Sequence, residues 1–286
     1  MKKKYLLILC SCILSLTMVL ASIMPGMKDV QGISKVYQVK AEDGVITSGD
    51  WEYKIYNSYN DEIEITKYNG NDKELKVPET IDEHKVVSIS QFAIDYEPLT
   101  TITFPKTIES IGSSGQEFRK GKNLTSIKVE DSQYGDKYWT DEDGTLYSYY
   151  MTHTDQDQTE YTDYLTLIYC PKARNSKSYT IDDKVTAIDR DAFADCYSLE
   201  EVKLRNGVQK IEVGAFTNCT NLTSLDLPKS VKKIGYNAFV RCDKLASYNV
   251  AKENESYCDV DGVLYTKNKM KLVSYPRGKE AADQTH

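Results

Sequence analysis

Three lines of the chain can be written one above another: Ala192-Phe-Ala-Asp-Cys-Tyr-Ser-Leu-Glu-Glu-Val-Lys-Leu204, Ala215-Phe-Thr-Asn-Cys-Thr-Asn-Leu-Thr-Ser-Leu-Asp-Leu227 and Ala238-Phe-Val-Arg-Cys-Asp-Lys-Leu-Ala-Ser-Tyr-Asn-Val250. They are offset by 23 residues. Phe193, Phe216 and Phe239 share one position, Cys196, Cys219 and Cys242 a second, and Leu199, Leu222 and Leu245 a third. A fixed period of this length is the signature of stacked coils, because one such unit cannot bury its own apolar face. In the first half of each unit, Ala-Phe-x-x-Cys-x-x-Leu, the apolar residues fall at i, i+1, i+4 and i+7, the face of a short helical turn. The second half, as in Leu222 to Leu227, alternates and reads as a short strand. A turn such as Pro228-Lys229-Ser230 follows, then Val231-x-x-Ile234 and a Gly or Asn corner before the next Ala-Phe. A buried Leu, Val or Phe contributes roughly 1.5–3 kcal/mol, which offsets the ordering of a coil only when neighbours cover both its sides. The phenylalanines and cysteines are therefore expected to form ladders inside the stack.

Val231 to Val250 reads V-K-K-I-G-Y-N-A-F-V-R-C-D-K-L-A-S-Y-N-V. This pattern resembles the leucine-rich repeats of the BspA-like bacterial surface proteins, with looser spacing over roughly residues 48–279. The expected fold is a leucine-rich-repeat solenoid: a right-handed, β-rich superhelix with short helical turns and β-hairpin elaborations. Strand cores begin at Leu75, Ile102, Ile127, Tyr179, Val202, Leu225 and Tyr248, so about seven coils are expected along one apolar spine. Gly112-Ser-Ser-Gly115 and Glu117-Phe118 stand where the second coil should carry its Ala-Phe corner, which predicts local irregularity.

The remaining segments organise around this stack. Lys2-Lys3-Lys4 followed by the apolar Tyr5 to Leu20 reads as a signal peptide over 1–21, and Val39-Lys40-Ala41 offers a later cleavage site. The rival, an uncleaved anchor, is weakened by Ser11, Ser15 and Thr17, and no transmembrane segment is expected after cleavage. Residues 42–70 alternate as two strands around Asn60-Asp61, a hairpin suited to cap the stack. The solenoid then runs over 71–286. It carries hairpin insertions at 131–178 and 251–279, sister copies marked by Asp143-Gly144-x-Leu146-Tyr147 and Asp261-Gly262-x-Leu264-Tyr265. The family resemblance implies the same hairpin elaboration.

The net charge is −7, and loss of residues 1–21 takes three lysines and moves it to −10. With no basic stripe, nucleic acid is not expected as a partner. Seven cysteines include the three at the repeat position, and no Cys-x-x-Cys pair suggests zinc. An evenly spaced buried ladder favours reduced thiols over disulfides, while the relation of Cys170 to Cys258 stays open. The histidines, His84, His153 and His286, have no triad context. Asp141-Glu-Asp143-Gly144 and Asp259-Val-Asp261-Gly262 lack the calcium-loop order and read as hairpin turns. No cofactor or metal is expected. Hydrolysis would need a pocket holding paired acids, and repetition scatters the acids over the surface.

Two surfaces remain as binding candidates. One is the aromatic hairpin, where Tyr138, Trp139, Tyr147, Tyr149 and Tyr150 either anchor a partner or pair across the strands. The other is the outward row of the strand cores, Lys203, Asp226 and Asn249, within a solvated scaffold face. The expectation is a non-enzymatic, secreted or cell-surface scaffold, and the resemblance implies adhesion to protein or extracellular-matrix partners. The alternative is a carbohydrate-binding accessory module using the aromatics around 134–169, with a glycan as its partner.

Overall fold

In the computed structural model, residues 38–40, 44–112, 118, 120–153 and 161–279 are described, those at 38–40, 151–153 and 161–163 by backbone alone. The signal-peptide segment with its first cleavage site, the hairpin tip at 154–160 and the degenerate corner at 113–117 lie outside the described residues, as does Ala41 of the later cleavage site.

The described elements are strands joined by tight turns. An N-terminal meander comprises β1 (Gln38–Lys40), β2 (Val45–Ser48), β3 (Trp51–Asn57) and β4 (Glu62–Tyr68). The first coils contribute β5 (Glu74–Lys76), β6 (Thr80–Ile81), β7 (His84–Ile89), β8 (Thr101–Phe104), β9 (Ser110–Ile111) and β10 (Ser126–Val129). A second meander follows: β11 (Tyr138–Thr140), β12 (Leu146–His153) and β13 (Tyr161–Tyr169). Further coils give β14 (Ser178–Thr180), β15 (Val185–Ile188), β16 (Glu201–Lys203), β17 (Lys210–Ile211), β18 (Ser224–Leu227), β19 (Lys233–Ile234) and β20 (Ser247–Val250), and a third meander ends with β21 (Tyr257–Val260), β22 (Val263–Thr266) and β23 (Leu272–Ser274).

The seven strand cores form two parallel ladders, of three and four strands, each with its inward residues in register. Leu75, Ile102 and Ile127 align across β5, β8 and β10, and Tyr179, Val202, Leu225 and Tyr248 across β14, β16, β18 and β20. Each coil also carries a second strand. These segments, mostly Val-x-x-Ile, form their own parallel ladders, β7-β9 paired onto the meander strand β4 and β15-β17-β19 paired onto the meander strand β13. Three of these strands are two residues long, too short to show the period-two alternation by which a strand is read.

The Ala-Phe-x-x-Cys corners are single tight turns rather than helices. Cys196 N–H donates to the Phe193 carbonyl at 3.2 Å, and Leu199 N–H to the Cys196 carbonyl at 3.2 Å. The corners also bond from coil to coil, Phe193 N–H to the Ala215 carbonyl and Phe216 N–H to the Ala238 carbonyl, both at 2.8 Å. Stacking, not helical propensity, satisfies their backbone. The three phenylalanines lie face to face, Phe193 on Phe216 with centroids 4.9 Å apart and Phe216 on Phe239 at 5.8 Å. The repeat cysteines answer a polar need in the same column. Cys219 Sγ donates to the Phe193 carbonyl and Cys242 Sγ to the Phe216 carbonyl, each at 3.1 Å. A thiol is small and apolar enough for the core yet supplies a weak donor.

The apolar spine is not single, as expected from the sequence, but falls into two cores. One runs from Tyr53 to Tyr169, the other from Tyr147 to Leu264. They meet at the β12–β13 hairpin, where Leu146 and Tyr169 face the first core while Tyr147, Leu165 and Leu167 face the second. The strand-core ladder is interrupted there, between β10 and β14, because the second meander takes up the intervening chain.

The third meander repeats the second in its contacts. Tyr138 OH accepts from Ile111 N–H at 3.4 Å, and Tyr257 OH from Ile234 N–H at 2.9 Å. The Gly144 carbonyl accepts from Ile127 N–H, and the Gly262 carbonyl from Tyr248 N–H. Both glycines have positive φ, 74° and 75°, and a Cβ at either would strike a serine of the preceding strand core, Ser126 or Ser247. The Asp-Gly pairs are thus turns pressed against the stack. Their neighbouring acids brace them: Asp141 accepts from Thr145 N–H at 2.8 Å, Tyr147 OH at 3.0 Å and Tyr179 OH at 2.7 Å, and Asp259 accepts from Val250 N–H at 2.9 Å.

Candidate ligand-binding groove

The hairpin aromatics are placed unequally. Tyr147 is buried at 2% exposure, its ring stacked on Trp139 at 4.4 Å. Trp139 and Tyr149 are half-buried against the second core, and Tyr134 packs on both, at 5.9 and 5.8 Å. Tyr138 packs on the first core. Burial of Tyr147 within the Tyr147–Tyr179–Asp141 cluster holds its phenol well above the usual tyrosine range, as does the Asp141 charge. Tyr150 alone of the five is exposed, at 51%, and it stacks on its cross-strand partner Tyr164 at 5.2 Å and 14°. The row on the strand-core face is assembled in register: Lys203 beside Asp226 beside Asn249. All three are exposed, and Asn249 Nδ2 donates to Asp226 Oδ1 at 2.7 Å.

The Tyr150–Tyr164 pair opens onto a groove of about 210 Å³ on the outer face of the second ladder. Its floor follows from the register. Ser148, Thr166, Ala187 and Lys210 lie side by side across β12, β13, β15 and β17. A bulge between β13 and β15 leaves Thr186 without a cross-strand partner, so Thr186 and Ala187 both line the groove. Ala187 is the low point, since the next two coils carry Lys210 and Lys233 at its position. Lys210 Nζ stands 5.9 Å from the Tyr164 centroid. Ile168, Asp189, Gln209 and Glu212 complete the lining.

Asp189 is the titratable group set apart by this geometry. Burial raises its pKa above the usual carboxylate range, the Glu212 charge adds to the rise, and the hydrogen bond from Arg190 N–H opposes it. Glu212 is paired with Lys233 at 3.5 Å. The groove therefore offers an aromatic face, two carboxylate acceptors, a lysine and an amide, over a small-residue floor. Such a set can hold a ligand with an apolar face and several hydroxyl or amide donors. Tyr164 lies within the aromatic stretch 134–169 that the sequence points to, whereas nothing in the sequence marks Asp189, Lys210 or Glu212. The one signal available was Ala187 itself, in Val185-Thr-Ala-Ile188, against Val208-Gln-Lys-Ile211 and Val231-Lys-Lys-Ile234.

The family model for the BspA type leucine rich repeat region matches residues 71–138 and 169–270, in six copies. Among solved structures, the chain is similar to a leucine rich cell surface protein from Faecalibacterium prausnitzii A2-165, with 24% identity over 81% of this chain and 61% of that one and a TM-score of 0.51. It is also similar to the pneumococcal vaccine antigen PcpA (21% identity, 82% of this chain and 56% of that one, TM-score 0.43). A leucine-rich repeat protein from Bacteroides ovatus ATCC 8483 shows 22% identity over 72% of this chain and 52% of that one, with a TM-score of 0.45. The chain thus spans about three fifths of the length of the first of these structures. No curated protein matches it.

Proposed function

Since the chain belongs to the BspA-type leucine-rich repeat family, we propose that it works as an exported surface scaffold that binds, without turnover, a protein or extracellular-matrix partner. The observation that supports this most directly is the register of the strand-core ladder. Parallel stacking turns one outward position per coil into a continuous row, and Lys203, Asp226 and Asn249 occupy it on successive coils. A row of mixed, exposed polar groups on a rigid sheet suits a broad docking face that gains affinity from many modest contacts.

In this reading residues 1–21 direct export, the N-terminal meander covers the open end of the stack, and the hairpins at 131–178 and 251–279 elaborate one side. The role as an adhesin is tested by surface plasmon resonance of the chain from residue 42 onward against immobilised fibronectin, fibrinogen, laminin and collagen. Lys203→Glu combined with Asp226→Lys reverses the row's charges while leaving the core untouched. Binding to at least one of these proteins, weakened by the double variant, is the expected result. Equal binding by wild type and variant would remove the row from the site, and no binding across the panel would defeat the matrix reading.

A further inference from the structure

We propose that the groove over Ala187 is a subsite for one pyranose ring of an uncharged glycan. It goes beyond the protein-binding reading and lies on the other ladder of the solenoid, so either can fail without the other. Four observations converge on this ligand class.

The first is the aromatic wall. Tyr150 and Tyr164 stack as a cross-strand pair, with Tyr164 standing between Tyr150 and β15. Tyr164 lines the groove together with Ala187, and Lys210 Nζ lies over its ring at 5.9 Å, so ring and ammonium border the dip together. A pyranose presents an apolar C–H face, and sugars lie on aromatic rings by that face. The second is the polar complement. Asp189 and Glu212 accept hydrogen bonds from ring hydroxyls, while Lys210 and Gln209 donate to hydroxyl oxygens.

The third is size. About 210 Å³ is below the roughly 300–1,000 Å³ of pockets that enclose a drug-sized ligand, and it suits a single ring with the rest of a chain leaving through the open side. The fourth is charge. Glu212 is neutralised by Lys233 at 3.5 Å, and Lys210 lines the same groove as Asp189, so each carboxylate of the groove has a lysine on the same face. A site for a basic peptide segment would leave its carboxylates unmatched. Asp189 is held in a position that raises its pKa, which is a cost to the folded chain at neutral pH and marks a group kept for something other than stability.

The test is saturation-transfer NMR on the chain from residue 42 onward. The probes are the methyl glycosides of glucose, galactose, mannose and N-acetylglucosamine at millimolar concentration. The variants are Ala187→Leu, which fills the dip from a partly exposed strand position, and Tyr164→Leu, which removes the ring face. The expected result is transfer to at least one glycoside from wild type, strongest at the ring C–H protons. Affinity should fall by about 2- to 13-fold in Tyr164→Leu, the loss of one stacking contact, and at least as far in Ala187→Leu, where the dip is filled. Should Tyr164→Leu fail to fold, Ala187→Leu decides alone, with its melting curve as the control. Absence of transfer to all four probes, or binding unchanged in Ala187→Leu, overturns the assignment. So does a lysine-rich peptide that binds wild type and is lost in Ala187→Leu, which would make the groove a peptide site.

Discussion

Replacing Phe216 by alanine should unseat the C-terminal core more than any other single truncation in the repeat. Phe216 is fully buried and touches rings on both sides, Phe193 at 4.9 Å and 7° and Phe239 at 5.8 Å and 21°. A buried Phe→Ala change costs about 3–5 kcal/mol. Ring–ring contacts add about 0.5–1.5 kcal/mol each beyond area burial, so the two stacking contacts together account for about 1–3 kcal/mol of that cost. For a chain of this size the loss corresponds to a drop in Tm of about 6–20 °C. The assay is urea unfolding followed by tryptophan fluorescence. The two tryptophans divide the work: Trp51 packs on the first core and Trp139 on the second. The sharper readout is a set of double-mutant cycles. Phe193 and Phe216 should couple by about 0.5–1.5 kcal/mol, as should Phe216 and Phe239, whereas Phe193 and Phe239 should couple by less than about 0.5 kcal/mol, because only adjacent coils touch. If alanine proves too disruptive, the same cycles with leucine retain a folded chain. A coupling between Phe193 and Phe239 as large as that between neighbours would refute the nearest-neighbour column, and so would a Phe216→Ala cost below about 2 kcal/mol.

Three further outcomes follow from single groups. Asp189 has a folded pKa raised above its unfolded value, so its ionisation weighs against the fold. Its contribution is most favourable below the unfolded carboxylate range and is lost as pH rises through the folded pKa. Asp189→Asn should therefore raise the melting temperature at neutral pH, with the gain shrinking to nothing as the solution is acidified; a gain independent of pH would exclude titration as its cause. Of the five described cysteines, Cys170, Cys196, Cys219 and Cys242 are buried and Cys258 is half-exposed. Maleimide labelling read by mass spectrometry should modify Cys258 first, and early labelling of Cys219 would contradict the stacked corner. Gly262→Ala should cost about 1 kcal/mol or more, since φ of 75° is unfavourable for alanine and its Cβ would meet Ser247; a neutral change in urea midpoint would show that the turn relaxes freely.

Much of this molecule is written locally. A period of 23 residues repeated three times dictates which side chains superpose, and superposition fixes the Phe and Cys ladders without knowledge of any long-range contact. The seven strand cores are equally legible, because inward Leu, Ile, Val and Tyr alternate with polar neighbours over enough residues to show a period of two. The Asp-Gly turns declare themselves by residue type, since glycine takes the positive φ of Gly144 and Gly262 without steric cost.

What the chain does not announce depends on which segments meet. The second ladder is built from strands as short as two residues, and only pairing with the next coil makes Lys210–Ile211 a strand at all. The division into two cores arises because the β12–β13 hairpin turns Leu146 toward one and Tyr147 toward the other, a choice made by packing on both sides. The groove is the clearest case. Tyr150, Tyr164, Ala187 and Asp189 come together through an antiparallel pairing, a parallel pairing and a one-residue bulge, and none of these is encoded within any one of the segments joined. A repeat determines its own superposition because each coil is its neighbour's template. A site assembled across an insertion has no such template, and only the folded chain specifies it.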